Sequence, residues 1–254
     1  MRVFAVSDVH LDYEENRLWL SSLSDLDYRS DVLILAGDIS DEIKLIEWCF
    51  ISLQSKFLKV FFVPGNHDLW VNRNQGMTSF DKFHFLMRLA KEHQICTEAY
   101  HHGPLSIVPL LGWYDFSFGL PSEQLLQTWV DFRACQWPDT MTAADITAHF
   151  LNLNQSLLSV QNDVVISFSH FVPRIDLMPD YIPARYRYVY PVLGSAGLDK
   201  QARQLHARRH LHVYGHSHVN RGVTVENIEY INNAFGYPSE QNISRKQLLC
   251  IYEQ

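Results

Sequence analysis

Side chains that bind metal ions recur in five short segments, and each segment follows an apolar run typical of a buried strand. In chain order they are Asp8-Val9-His10, Gly37-Asp38-Ile39-Ser40-Asp41, Gly65-Asn66-His67-Asp68, His170, and Gly215-His216-Ser217-His218. Each segment alone is a weak signal, since Asp, Asn, Gly and His are common in turns. Together they supply carboxylate, amide and imidazole groups, and this combination predicts a metal centre.

Seven of these residues are candidate metal ligands: Asp8, His10, Asp38, Asn66, His170, His216 and His218. A mixed imidazole and carboxylate set suits manganese, iron or zinc better than an all-oxygen site for magnesium or calcium. Two such ions about 3.5–4 Å apart can bind a phosphoryl group between them and activate a bridging water. The residues therefore predict two divalent or trivalent transition-metal ions as cofactors and a small phosphoester as substrate.

Several motif residues also have purely structural interpretations. Asp41 could cap the N-terminus of a predicted helix at residues 41–55. Gly65 and Asn66 could form an ordinary turn, and His170 could be a hydrogen-bonded core histidine. The ordered combination of all five segments favours the metal-binding interpretation over these.

Apolar strands alternate with amphipathic helices along the first half of the chain. We predict strands at residues 2–7, 31–36, 59–63, 105–111, 163–169 and 211–214, and helices at 15–24, 41–55, 78–93, 143–160 and 198–209. Near-continuous apolar strands separated by helices indicate a parallel sheet covered on both faces. Short strands at 222–225, 229–232 and 247–252 suggest an antiparallel second sheet. Ligand sites in such folds lie beyond the carboxyl ends of the strands.

Composition narrows the function classes. The chain has 254 residues, 47% of them hydrophobic, which favours one folded domain over residues 1–254. Its net charge is −7 and it has no basic run, so nucleic-acid binding is not expected. The four cysteines form no CxxC pair, which argues against a disulfide framework. We find no signal peptide and no window of about 20 apolar residues that would span a membrane, and we expect a cytoplasmic protein.

The five segments, in this order, resemble the calcineurin-like metallophosphoesterase superfamily. Its signature reads D-x-H, G-D-x-x-D, G-N-H-[D/E], a lone H and G-H-x-H, and all parts occur between Asp8 and His218. The resemblance implies an α/β fold: a four-layer α/β/β/α sandwich of two mixed sheets flanked by helices, with the active site at the carboxyl ends of the strands.

The same resemblance implies roles for the site residues. One ion is assigned to Asp8, His10 and His218, the other to Asn66, His170 and His216, and Asp38 bridges both. His67 would be a general acid near the leaving-group oxygen, oriented by Asp41, while Asp68 would support the loop. A bridging hydroxide would attack phosphorus in line with the leaving group.

Two other functions fit the same residues: a non-catalytic metal-binding scaffold on this fold, and a nuclease. Complete ligand motifs argue against the first, and the acidic charge argues against strong duplex binding by the second. The motifs leave the substrate open. We expect residues 113–138 and 171–197, two segments of weak periodicity, to determine it.

Overall fold

Two β-sheets pack face to face in the computed structural model, which describes residues 1–254. The strands are β1 Arg2–Val6, β2 Val32–Leu35, β3 Lys59–Phe62, β4 Tyr100–His102, β5 Leu105–Pro109, β6 Gln161–Phe168, β7 His206–Tyr214, β8 Arg221–Val225, β9 Ile228–Asn232 and β10 Leu249–Glu253. The first sheet has the order β10-β1-β2-β3 and the second β4-β5-β6-β7-β9-β8. Strands β4, β8 and β10 pair antiparallel with their neighbours and all other pairs are parallel, so both sheets are mixed.

Helices cover the outer faces of the sheets. They are α1 Glu14–Ser22, α2 Ile43–Gln54, α3 Ser79–Glu92, α4 Glu123–Thr128, α5 Asp131–Ala134, α6 Ala143–Leu153 and α7 Ala196–Ala202. Short 3₁₀ segments occur at His67–Leu69, Gln155–Leu157, Ile175–Leu177 and Ala184–Val192. This arrangement confirms the predicted fold class. None of the helices is both long enough and apolar enough to cross a bilayer.

Strand β2 shows why these sequences form buried strands. Its four residues are all fully buried. Val32 and Ile34 belong to the apolar cluster between the two sheets, whereas Leu33 and Leu35 belong to the larger cluster beneath the helices. Because side chains alternate between the faces of a strand, a strand covered on both faces must be apolar throughout.

The start of α3 agrees with the helix predicted at residues 78–93, and Thr78 is its N-cap. Thr78 accepts a hydrogen bond from the backbone N–H of Asp81, and the Asp81 carboxylate accepts one from the backbone N–H of Thr78. This reciprocal capping satisfies two N–H groups that the helix cannot.

One predicted helix is too long, and one predicted strand belongs to the other sheet. The helix predicted at residues 198–209 ends at Ala202, and His206 already pairs with Gln161 at the start of β7. The predicted strand at 247–252 forms, but as β10 it pairs with β1 in the first sheet. Both errors arise because strand pairing depends on residues distant in sequence, which a local pattern does not report.

Candidate metal centre

All five ligand segments lie beyond the carboxyl ends of strands, as predicted. The first three follow β1, β2 and β3 of one sheet, and the other two follow β6 and β7 of the second. Parallel strands bring their carboxyl ends to the same edge, and the face-to-face packing places the two edges together. The seven candidate ligands therefore come within reach of one another.

Asp8, His10 and His218 form one group. Nε2 of His218 lies 3.2 Å from Oδ1 of Asp8 and 3.1 Å from Nε2 of His10. All three residues are buried. This is the set that the family resemblance assigns to one ion.

A second group lies beside it. Nε2 of His170 is 3.1 Å from Oδ1 of Asn66, 3.1 Å from Nδ1 of His216 and 3.5 Å from Oδ2 of Asp38. Asp38 also lies near the first group, because its carboxylate, His10 and His67 have ligand atoms within 4.8 Å of one another. Asp38 therefore lies close to His10 of the first group as well as to His170 and His216 of the second.

The hydrogen bonds of the second group show that these residues fit a cation. Nδ1 of His170 donates to the carbonyl oxygen of Ala36 at 2.9 Å, and Nε2 of His216 donates to that of Val192 at 3.0 Å. The remaining nitrogens of both rings therefore carry lone pairs, and they face each other at 3.1 Å. Two such acceptors repel unless a positive ion lies between or beside them.

Burial keeps these imidazoles in the neutral form that binds metals. Burial lowers the pKa of His170 to about 3 and that of His216 to about 4. Burial also acts to lower the pKa of His218, but the carboxylates of Asp8 and Glu240 outweigh it and raise the pKa to about 9. Burial and the charge of Asp8 raise the pKa of Asp38 well above its ordinary value. Bound cations would relieve this crowding of carboxylates.

The backbone is strained at the ligands. Positive φ angles occur at Asp8 (54°), His10 (39°), Asp38 (58°), His216 (66°) and His218 (55°). Each such conformation costs a non-glycine residue about 1–3 kcal/mol, and these conformations cluster at functional sites. The cost is consistent with a loop geometry that presents ligands.

Two glycines permit the close approach of the ligand loops. A Cβ atom on Gly65 would lie 2.1 Å from Oδ1 of Asp38, and one on Gly37, where φ is +83°, would lie 2.6 Å from Nδ1 of His170. Their place in the motifs therefore has a steric reason as well as a conformational one.

His67 lies at the edge of the site, but Asp41, the residue predicted to orient it, does not contact it. The ring stacks on Trp70 with centroids 3.7 Å apart, and Nε2 is 3.9 Å from Oδ2 of Asp38. The carboxylate of Asp41 instead accepts a 2.9 Å hydrogen bond from Nε of Arg73. The predicted orientation of His67 by Asp41 is thus not what the structure shows, since the Asp41 side chain turns toward the neighbouring loop. Nor is Asp41 a helix cap, because α2 begins two residues later.

Three further residues at the site were missed by the sequence analysis. Glu240 accepts a 2.6 Å hydrogen bond from Nδ1 of His218, and Tyr237 packs over His10 with ring centroids 4.4 Å apart. Asp131 accepts a 2.9 Å hydrogen bond from Nδ2 of Asn66. No motif spacing marks these residues, because each meets the ligands only through the tertiary fold.

Four of the candidate ligands, Asp38, Asn66, His216 and His218, line a cavity of about 290 Å³. Both segments expected to determine the substrate contribute to its wall: Trp129, Val130 and Asp131 from residues 113–138, and Val189 and Leu193 from residues 171–197. The wall contains the acidic side chains of Asp38, Asp131 and Glu240, and it includes no lysine or arginine.

Comparison with known families agrees with this geometry. The model of the calcineurin-like phosphoesterase family matches residues 1–220. The chain belongs to the calcineurin-like phosphoesterase family. This confirms the resemblance drawn from the five motifs, and the family is one of metal-dependent phosphoester hydrolases.

Two curated proteins are similar in sequence. The [acyl-carrier-protein] phosphodiesterase PptH of Mycobacterium tuberculosis is 33% identical over 128 residues, which span 46% of this chain and 38% of PptH. Uncharacterized protein L509 of Acanthamoeba polyphaga mimivirus is 25% identical over 261 residues, which span 93% of this chain and 91% of that protein.

The fold is also similar to a solved structure. The crystal structure of phosphopantetheinyl hydrolase (PptH) from Mycobacterium tuberculosis aligns with a TM-score of 0.78 and 21% identity. The alignment covers 100% of this chain and 96% of that chain. At this identity the likeness establishes a shared fold.

Proposed function

We propose that this protein hydrolyses a phosphoester at a centre of two transition-metal ions. The observation that carries the proposal is the pair of lone-pair nitrogens of His170 and His216, which face each other at 3.1 Å beside the Asn66 oxygen. A cation bound beside these two nitrogens would remove the repulsion between their lone pairs. Asp8, His10 and His218 provide a second, equally compact group.

In this proposal each group would hold one ion, and Asp38, which lies near both groups, would help to hold both. Manganese, iron and zinc fit the mixture of imidazole, carboxylate and amide ligands. When bound, the ions supply a water of lowered pKa as nucleophile and neutralise the phosphoryl oxygens.

His67 is proposed as the general acid that donates a proton from its imidazole to the leaving oxygen. Its ring lines the cavity and is held by the stack on Trp70, so it can reach a bound substrate without being a ligand. Burial and the neighbouring histidines lower the pKa of His67 well below its usual value. The negative charge of a bound phosphoester acts in the opposite direction and favours the protonated ring.

The cavity wall favours a phosphodiester over a phosphomonoester. A monoester is dianionic near neutral pH, and proteins usually hold such a group with arginine or lysine. Apart from the residues proposed to hold the ions, the wall offers no lysine or arginine, and it presents the side chains of Trp70, Trp129, Val189 and Leu193. A singly charged diester with an uncharged organic arm suits it better.

The relatives suggest what the diester joins. PptH is named as an acyl-carrier-protein phosphodiesterase and as a phosphopantetheinyl hydrolase. On that likeness we propose a diester between a phosphopantetheinyl group and a carrier protein, in place of the small phosphoester expected from the sequence. The organic arm would lie against the apolar wall, with the carrier protein outside.

The test compares purified wild-type protein with the Asp38→Asn variant in the presence of Mn²⁺. The substrates are an aryl phosphodiester, the matching aryl phosphomonoester and a phosphopantetheinylated carrier protein, whose cleavage is followed by mass spectrometry. Wild-type protein should cleave the diester faster than the monoester and release unmodified carrier protein. Chelation and Asp38→Asn should each abolish turnover. Full activity after exhaustive chelation would refute the metal centre, and a preference for the monoester would refute the diester assignment.

A further inference from the structure

We propose that Asp131 is a positioning residue that fixes the orientation of the Asn66 amide and joins it to two indoles that line the cavity. The inference rests on the proposed function, in which Asn66 is a metal ligand. Asp131 lies at the start of α5, far from every motif in sequence, and its exposed fraction is 2%.

The Asp131 carboxylate accepts three hydrogen bonds from site residues. Oδ1 accepts from Nδ2 of Asn66 at 2.9 Å and from Nε1 of Trp70 at 2.7 Å. Oδ2 accepts from Nε1 of Trp129 at 2.8 Å. Hydrogen bonds to an ionised acceptor are about twice as strong as neutral ones, so a buried carboxylate with three donors is a firm anchor.

This anchor determines which end of the Asn66 amide faces the ligands. A carboxylate only accepts hydrogen bonds, so the amide nitrogen must point toward Asp131. The amide oxygen then points toward Nε2 of His170, 3.1 Å away. Oxygen is the atom that can bind a cation, and the reversed amide would instead direct N–H groups into the site.

The same carboxylate also reaches the walls of the cavity. Trp70 stacks on His67, and the Trp129 ring lies edge-on to His216 with centroids 6.0 Å apart. Both indoles donate to Asp131. This one residue therefore connects the proposed ligand Asn66 with Trp70, which supports His67, and with Trp129, which lies in the wall proposed to face the organic arm.

The Asp131→Asn variant tests this role because it keeps the size of the side chain. Asparagine offers one acceptor oxygen and an NH₂ group in place of the second oxygen, so the Asn66 amide is free to reverse. Partners that orient metal ligands typically contribute 10–100-fold in metal affinity, and we expect a rise of about that size in the Kd for Mn²⁺. Calorimetric titration with Mn²⁺ alone measures it without any substrate.

Two matched variants separate positioning from general destabilisation. Asp31 is also a buried aspartate with three hydrogen bonds, all from Arg2 at the opposite end of the strands. Asp31→Asn should reduce thermal stability and leave Mn²⁺ affinity unchanged. Trp129→Phe replaces the indole by a smaller ring that cannot donate to Asp131, while the Asn66 hydrogen bond remains. It should therefore raise KM for the carrier-protein substrate with little effect on Mn²⁺ affinity.

Wild-type Mn²⁺ affinity in folded Asp131→Asn would overturn the proposal, as would equal weakening by Asp31→Asn. If Asp131→Asn does not fold, NMR of the wild-type protein with Zn²⁺ decides the matter. Nδ2 of Asn66 and Nε1 of Trp70 donate to the same oxygen, so their protons should lie close together and give a nuclear Overhauser cross-peak. The absence of this cross-peak would refute the proposed orientation of the Asn66 amide. Both readouts are independent of turnover, so a protein that binds Mn²⁺ but hydrolyses nothing would contradict the proposed function alone.

Discussion

The backbone N–H of Asp38 donates a 2.9 Å hydrogen bond to the buried carboxylate of Asp68, so the third ligand segment supports the second. The same carboxylate accepts from the backbone N–H groups of Ile39 (2.8 Å), Ser40 (3.2 Å) and Gly65 (2.8 Å). Four donors from two loops therefore meet at one side chain. This agrees with the role of loop support that the sequence analysis gave Asp68.

Asp68→Asn should destabilise the protein and loosen the metal centre together. The amide NH₂ would face backbone donors, and hydrogen bonds to charged groups contribute about 1.5–3 kcal/mol each. We expect a loss of about 3 kcal/mol in the free energy of unfolding, measured by urea denaturation. Asp139 is exposed, so Asp139→Asn should change that free energy by no more than about 0.5 kcal/mol. Similar values for the two variants would contradict the supporting role.

Gly65→Ala should abolish metal binding by steric contact. The added Cβ would lie 2.1 Å from the Asp38 carboxylate, so either the ligand or the loop must move. Gly222 in β8 is a matched control, because a Cβ there would meet no atom within 4 Å. Gly222→Ala should be neutral or stabilising by about 0.4–1 kcal/mol. Isothermal titration with Mn²⁺ distinguishes them, and normal binding by Gly65→Ala would show that the loops are not tightly held.

The ligands could be predicted from the sequence because each follows a local pattern. A buried strand such as Leu33–Leu35 is apolar throughout, and the polar residues after it must lie at the sheet edge. Asp38 follows this rule directly, whereas His170 was recognised only by its place in the ordered set of five segments. The pairing of the sheets then brought them together.

The supporting residues could not be predicted for the opposite reason. Asp131 and Glu240 reach the ligands from segments whose path depends on tertiary packing, and no residue spacing records that path. Asp41 shows the converse: it belongs to a ligand motif, yet its side chain pairs with Arg73. Position in a motif determines where the backbone passes, whereas side-chain direction also depends on neighbours distant in sequence.

His67→Ala should reduce turnover most for esters with poor leaving groups. An alkoxide must be protonated as it leaves, and general acid catalysis typically contributes about 10²–10⁴-fold. An activated aryl oxide leaves without that help, so its hydrolysis should fall much less. Rates for a series of aryl and alkyl phosphodiesters at saturating Mn²⁺ give the dependence on leaving-group pKa. Equal losses across the series would contradict proton donation by His67.

Acid should destabilise the fold by protonating His212, a buried histidine that is not one of the candidate metal ligands. His212 on β7 lies between Ser167 of β6 and Ser169, which directly follows that strand, with ring nitrogens 2.8 and 3.1 Å from their hydroxyls. Burial, together with His210, lowers the pKa of His212 to about 3. Its pKa in the unfolded chain is near 6.5.

Between those two pKa values the unfolded state binds a proton that the folded state does not. The contribution of His212 to stability is therefore fully present above about pH 6.5 and is lost as the pH falls toward 3, at up to about 1.4 kcal/mol per pH unit. His212→Gln removes this titration. It should be less stable than wild type at pH 8, because the hydrogen bonds change, and it should lose about 2 kcal/mol less than wild type between pH 8 and pH 5. Urea denaturation of chelated protein at the two pH values measures this, and parallel losses in both proteins would show that His212 is not the group that titrates.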